Sequence, residues 1–182
     1  MTSVNKKEIQ KLIKGLKRQD RKSQELIYQK YFGLMMSIGM RYCNNWDDAK
    51  EVVNSSFLKI FTKIDNYGGK GSFEGWMKRT VVNTALDFIK SRKFENVGFD
   101  DINTYEEDVY IENEAAGNID AEDILKLVQT LPDATRAVFN LYVLEGYKHK
   151  EISEKLGISE GTSHWHLLNA RRLLKDKLKN LI

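Results

Sequence analysis

Apolar residues along most of this chain recur at three- and four-residue spacing, and no alternation of period two persists over a useful length. The first period belongs to an amphipathic helix and the second to a strand, so the pattern predicts an all-α protein. The clearest stripe runs over 47–64. There Ala49, Val52, Val53, Ser56, Phe57, Ile60, Phe61 and Ile64 share a face, and Asp47 and Asp48 stand where the helix dipole favours acids. A helix over 23–42 offers Leu26, Ile27, Leu34, Met35 and Ile38 for burial. After the breaker NYGGKGS at 66–72, a further helix over 73–92 turns Phe73, Trp76, Met77, Val81, Ala85 and Phe88 inward. Residues 120–130 predict a helix that stops near the sole proline, Pro132, and 133–145 the next, closing at Gly146.

The final stretch, Tyr147 to Leu181, is the most informative. A short helical pattern passes through Glu151, Ile152 and Leu156, and Gly157 interrupts it. Ser159 then offers an N-cap oxygen for a second helix. That helix carries Ser163, Leu167, Ala170 and Leu174, spaced four, three and four residues apart, as a buried stripe. Two short helices joined at a Gly-containing turn predict a helix-turn-helix, whose second helix enters the DNA major groove N-terminus first. With the stripe inward, the outward face presents Thr162, His164, Trp165, His166, Leu168, Asn169, Arg171 and Arg172. Asn pairs bidentately with adenine and Arg binds phosphate. A Trp between two His is an unusual composition for a face that only meets water.

Charge changes the picture from one basic chain to three blocks. Residues 1–93 hold 19 Lys and Arg against 9 Asp and Glu, a net +10. Residues 94–123 hold 11 acids and no Lys or Arg, a net −11, and 124–182 hold 10 bases against 6 acids, a net +4. Basic blocks suit polyphosphate partners. The helix over 73–93 concentrates Lys78, Arg79, Lys90, Arg92 and Lys93 beside Asn83. Residues 94–119, FENVGFDDINTYEEDVYIENEAAGNI, carry no helical stripe and predict an acidic linker. The expected organisation is two small helical domains, 1–93 and 120–182, joined by that linker.

Other chemistries are excluded or unsupported. The single cysteine, Cys43, forms no intrachain disulfide. No run of about eighteen apolar residues predicts a membrane span, and the N-terminus lacks a signal-peptide core, so a cytoplasmic protein is expected. His164 and His166 diverge on a helix and cannot easily share a metal. No catalytic constellation or small-molecule site is legible, and no cofactor is expected. The predicted chemistry is binding.

The order of parts resembles the extracytoplasmic-function (ECF) group of bacterial sigma factors, small members of the sigma-70 family. DDAKEVVNSSFLKIF, Asp47–Phe61, is similar to the family's D-A-E-D-hydrophobic-V-Q-E-x-F helix, and SFEGWMKRTVVNTALDFIKSRK, Ser72–Lys93, to the run that follows it in region 2. LPDATRAVFNLYVLEGYKHKEISEKLGISEGT, Leu131–Thr162, is similar to region 4. Each motif is moderately specific; both in this order are highly specific. The resemblance implies a non-enzymatic promoter-recognition subunit whose partners are core RNA polymerase and promoter DNA, with an anti-sigma factor a common further partner in the group. Asp48, Glu51, Asn54 and Phe57 match positions that dock on the clamp helices of the largest polymerase subunit, and region 4 implies contact with the flap. Tyr67, Lys70, Ser72, Lys78, Arg79 and Asn83 match the region that captures an unstacked base of the −10 element. His164, Trp165, Leu168 and Asn169 match positions that read the −35 element, Arg171 and Arg172 would hold phosphates, and Thr162 and His166 flank them. The sequence departs from the family at Lys50 and Ser55, where acids are usual, at Lys70, and across Ser163–His166. A stand-alone operator-binding regulator is the alternative, and it would leave Asp47–Lys93 without a purpose.

Overall fold

The computed structural model describes residues 3–95 and 121–179, which contain helices and turns and no strand. The chain divides into two compact units, Met1–Ala85 and Leu86–Ile182, with the division inside the fourth helix. The predicted linker lies almost wholly outside the described residues.

In the first unit, α1 (Ser3–Lys17), α2 (Arg21–Tyr42), α3 (Trp46–Thr62) and the first half of α4 (Phe73–Glu95) enclose one core. The helix α1, which the sequence pattern did not single out, inserts Leu12 and Leu16. It meets α2 at a corner with no room for a side chain. A Cβ on Gly15 would stand 2.0 Å from the Ser23 hydroxyl. Ser23 is occupied there, since its amide and hydroxyl both donate to the Asp20 carboxylate, at 2.9 and 2.6 Å. Those bonds cap α2 and hold the Asp20 pKa below its usual value, the hydroxyl contributing most.

Along α2 the buried positions include Ile27, Tyr31, Met35, Met36, Ile38 and Tyr42. Leu26, expected inside, is 42% exposed. The reason is that Tyr31, whose ring meets Phe73 edge-on, occupies the core and rotates the buried stripe one residue past Leu26. The α3 stripe falls as its periodicity predicts, with Ala49, Val52, Val53, Phe57 and Ile60 buried. Gly39 permits close approach of α2 and α3, since a Cβ there would lie 3.2 Å from Val53. The helix ends at Thr62, and a 3₁₀ turn at Ile64–Asn66 carries Ile64 back into the core.

In the second unit, α5 (Ala121–Gln129), α6 (Asp133–Phe139), α7 (His149–Leu156) and α8 (Glu160–Lys179) pack around α8, which touches the other three. Val128, Leu131 and Ala170 form a cluster with Phe139, Leu173 and Leu174 against it. Arg136 is 1% exposed and closes the α5–α6 corner. Its Nη1 donates to the carbonyls of Gln129 and Leu131 at 2.9 and 3.1 Å, and its Nη2 to Asp133 at 2.7 Å. A buried guanidinium is stable only when its donors are satisfied in this way. The predicted helix over 133–145 continues from α6 as one wide π turn, Asn140–Leu144, and Gly146 ends it with φ +74°.

Replacing Arg136 by Met takes this donor from the buried Leu131 carbonyl and the part-buried Gln129 carbonyl. The expected loss is roughly 3 kcal/mol, read as a lower midpoint for the second unit in denaturant melts of the full chain. An unchanged midpoint would show that the corner does not depend on the guanidinium.

Candidate nucleic-acid interface

The helix-turn-helix is built by local signals. Gly157 takes a left-handed conformation, φ +69°, and the amides of Gly157 and Ile158 both donate to the Ser153 carbonyl, ending α7. Two residues later the Ser159 hydroxyl accepts from the Thr162 amide at 2.9 Å, as the N-cap reading predicted. Thr162 therefore has its hydroxyl, 2.7 Å from Ser159, engaged in the cap.

The rotation of α8 is set by Ser163, His166, Leu167 and Ala170, all buried. Two buried polar bonds lock it. Ser163 Oγ lies 2.9 Å from His149 Nδ1 at the start of α7, and His166 Nδ1 lies 3.0 Å from Thr135 Oγ1 on α6. The expected outward position of His166 is thus corrected. Residues advance about 100° per step, so His166 stands on the flank of the Ser163–Leu167–Ala170 stripe, and α6 covers that flank. The spacing of the stripe gave its centre but not its width.

The remaining predicted residues do share the outer face. His164 and Arg172 are exposed, while Trp165, Leu168, Asn169 and Arg171 are partly buried. Trp165 meets the His166 ring edge-on at 5.0 Å, which holds the indole low against the helix. Arg172 Nη2 donates to Asn169 Oδ1 at 2.9 Å, so these two side chains form one unit. The His164 ring stacks on His149 with centroids 3.6 Å apart, and His149 stacks in turn on Tyr142 at 4.6 Å. The sequence reading did not pair His149 with His164. Their separation of fifteen residues carries no local signal, and the turn geometry alone brings them together.

The second candidate surface lies on the first unit. Tyr67 donates its hydroxyl to the Gly71 carbonyl at 3.0 Å, closing the loop, and Gly69 and Gly71 hold φ of +75° and +81°. Side chains other than Gly rarely adopt that conformation. Ser72 spends its hydroxyl on the Gly75 amide at 3.0 Å as the cap of α4. Lys70 projects from the loop, exposed. Beneath it Tyr67, Phe73 and Trp76 pack ring against ring, with centroids 5.2 to 5.8 Å apart. Arg79 and Asn83, one helical turn apart, are exposed further along α4. Lys78 pairs with Glu74 at 2.8 Å.

On α3 the proposed docking residues separate. Glu51 and Asn54 are exposed, whereas Asp48 and Phe57 are buried. Asp48 closes the helix start. Its amide donates to Asn45 Oδ1 at 2.8 Å and its carboxylate accepts from Asn45 Nδ2 at 3.0 Å. Phe57 packs on Tyr28 at 4.7 Å. Neither presents a side chain to a partner in this arrangement. The exposed stripe is instead Asp47, Glu51, Asn54 and Leu58, spaced four, three and four, and Leu58 is 65% exposed. Leu58 was missed, although an apolar residue opposite a buried stripe is a legible signal. Lys50, where the family carries an acid, lies over the exposed Trp46 ring at 4.7 Å.

Among the described residues, no cluster of three or more His, Cys, Asp or Glu could hold a metal, and no helix is long and apolar enough to cross a membrane.

A bihelical reading head and a separate helical unit with a glycine-rich loop define a two-part nucleic-acid-binding protein. The sigma-70 region 2 family matches residues 27–95, and the sigma-70 region 4 family matches residues 121–174. The chain belongs to the sigma-70 family, in its ECF group, and its role is that of a sigma factor in transcription initiation. It is similar to the ECF RNA polymerase sigma-E factor of Haemophilus influenzae, 24% identical over 95% of this chain and 96% of that one. It is also similar to the ECF RNA polymerase sigma factor SigE of Mycolicibacterium smegmatis, 27% identical over 78% of this chain and 56% of that one. In fold it is similar to the Bartonella quintana sigma factor RpoE, solved in complex with the anti-sigma factor NepR, with a TM-score of 0.52 and 19% identity over 85% of this chain and 96% of that one.

Burial lowers the His149 pKa from its ordinary 6.5, assisted by the facing His164 and by Arg171 and opposed by Glu160. The unfolded chain therefore takes up this proton first as the pH falls. The stability contributed is complete above pH 6.5 and is lost as the pH drops toward the depressed folded value. Melting of the full chain between about pH 7.5 and 5.5 is expected to show a falling midpoint, with a shallower fall for His149→Phe. Equal slopes would remove His149 as the cause.

Proposed function

We propose that this sigma factor docks core RNA polymerase through α3, captures and opens the −10 element with the loop before α4, and reads the −35 element with α8. The observation that carries the reading is the outer face of α8. His164, Trp165, Leu168 and Asn169 lie in its N-terminal half, where a helix entering the major groove meets base edges, and Arg172 follows about one turn further on. Arg171 supplies a phosphate contact at the flank.

For the −10 element, the support is a glycine-shaped loop over an aromatic corner, with Lys70, Arg79 and Asn83 exposed around it. Flipping a base costs a few kcal/mol, and stacking on aromatic rings together with amide hydrogen bonding offsets such a cost. Tyr67 and Trp76 provide the rings and Asn83 the amide. Ser72 acts as a helix cap that shapes this loop, and Lys78 acts mainly through its pair with Glu74. For the polymerase, the support is the exposed Glu51, Asn54 and Leu58 on a helix whose family counterpart meets the clamp helices of the largest subunit. Asp48 and Phe57 support that surface from within. The second unit would reach the polymerase flap. An anti-sigma factor is a further partner by similarity to a sigma factor solved with one. No step of this role needs a cofactor or a small-molecule substrate, and the site of action is the cytoplasm.

The decisive experiment is run-off transcription from a promoter library, with bacterial core polymerase in the presence and absence of the chain. Transcripts that depend on the chain are expected, and aligned start sites then give both elements. No stimulation, with salt-dependent binding of the chain to specific duplexes, would favour a stand-alone regulator.

Variants separate the surfaces. Leu58→Arg is expected to abolish co-purification with core polymerase while leaving the melting midpoint within about 0.5 kcal/mol of the parent. Retained co-purification would remove α3 as the dock. Asn169→Ala is expected to cost about 1–3 kcal/mol of discrimination at one −35 base pair. Because Arg172 holds the Asn169 amide, Arg172→Ala should shift preference at that same pair, whereas Arg171→Ala should weaken all sequences alike. Uniform losses in all three would show that α8 does not read bases.

A further inference from the structure

We infer that His149, on the first helix of the helix-turn-helix, is a specificity-positioning residue that acts by holding the His164 ring in a fixed plane for −35 recognition. The inference rests on α8 reading that element. An exposed imidazole on a helix surface samples several rotamers, and each must be given up when it meets a base. His164 is exposed, but one face of its ring lies against His149, 3.6 Å between centroids and 27° between planes. His149 is itself fixed from three directions. It is 8% exposed, its Nδ1 is 2.9 Å from Ser163 Oγ, and its far face lies on Tyr142 of the π turn. The stack therefore passes the rigidity of the α7–α8 joint outward to a side chain at the second turn of the reading helix.

The bond to Ser163 does double duty. It sets the rotation of α8 and also the plane of the His149 ring, so the direction of His164 and the phase of the helix are determined together. The charged groups facing the pair are Glu160 and Arg171, both from α8, and Tyr142 is the aromatic facing His149 from the π turn. Two imidazolium rings at this distance would repel, so the stacked geometry belongs to the state in which His149 is neutral. That is the state expected at and above pH 7. A preorganised contact of this kind is worth more than the same side chain left mobile, because the ordering cost is met during folding.

The test uses the full chain with core polymerase at pH 7.5 or above, on promoters that differ singly in the −35 element. Two replacements of similar bulk separate the ring from the volume. His149→Leu is expected to lower transcript discrimination by about three- to ten-fold at the base pair that His164→Ala also relaxes, beyond any loss at other pairs that it shares with His149→Phe through the missing Ser163 bond. The double variant should lose no more than either single one, since both act through one contact. His149→Phe also lacks the Ser163 bond but keeps a stacking ring, so at the His164 base pair it should retain most of the discrimination that His149→Leu loses. In the free wild-type chain, NMR should show ring-to-ring contacts between His149 and His164.

Independent losses that multiply in the double variant would overturn the inference. So would a His149→Phe chain that behaves as His149→Leu, or the absence of ring contacts in the wild-type spectrum. The last measurement decides the matter even where His149→Leu fails to fold. Failure of the −35 reading itself is distinguishable, because the wild-type chain would then show no discrimination among these promoters at all.

Discussion

The rotational setting of α8 is the constraint on which the second unit depends. Four buried residues and two buried polar bonds fix it, and every outward side chain takes its direction from that choice. A helix packed by apolar contacts alone can turn by tens of degrees at small cost, since such contacts are non-directional. The Ser163–His149 and His166–Thr135 bonds remove that freedom, because turning α8 would leave buried polar atoms unsatisfied. The same bonds reach to α7 and α6, so the turn angle of the helix-turn-helix and the phase of its reading helix are one structural decision. Buried polar pairs here supply uniqueness of geometry where apolar packing supplies affinity.

The first unit solves a different problem with different means. Its first two corners are short, and each is held by a side-chain cap. Gly15 with Asp20 and Ser23 turns α1 into α2, and Asn45 with Asp48 starts α3. The Asn45–Asp48 bonds use an acid that the family resemblance would place at a partner surface. Asp48 shapes the start of α3 through its bonds with Asn45. The exposed stripe of Asp47, Glu51, Asn54 and Leu58 is then the mirror image of the buried one, and it shares the rigidity of a helix closed at both ends.

Electrostatics tie the halves to one kind of target without making them alike. The basic balance of residues 1–93 and 124–182 favours approach to nucleic acid over distances set by the Debye length. Close in, the two surfaces carry different groups. The loop before α4 offers aromatic rings and exposed cations, whereas α8 offers the His164 imidazole, an indole and an Arg-held amide on a rigid rod. That contrast fits single-stranded capture by one unit and duplex reading by the other.

The sequence alone determined the helical class, the Gly157–Ser159 turn, the α3 stripe and the family, because each is written in local spacing or in a motif read residue by residue. It also placed His164, Asn169 and Arg172 on one face, since three- and four-residue periods fix a helix direction. It misplaced Leu26 and His166, left α1 unassigned, and did not distinguish Glu51 from Asp48. Those outcomes depend on how wide a face the neighbouring helix covers and on which side chain a helix end recruits. The width of the buried face on α8 was decided by α6, and the meeting of His149 with His164 by the angle of the turn. Periodicity along one helix contains neither quantity, because both arise from contacts between residues far apart in the chain.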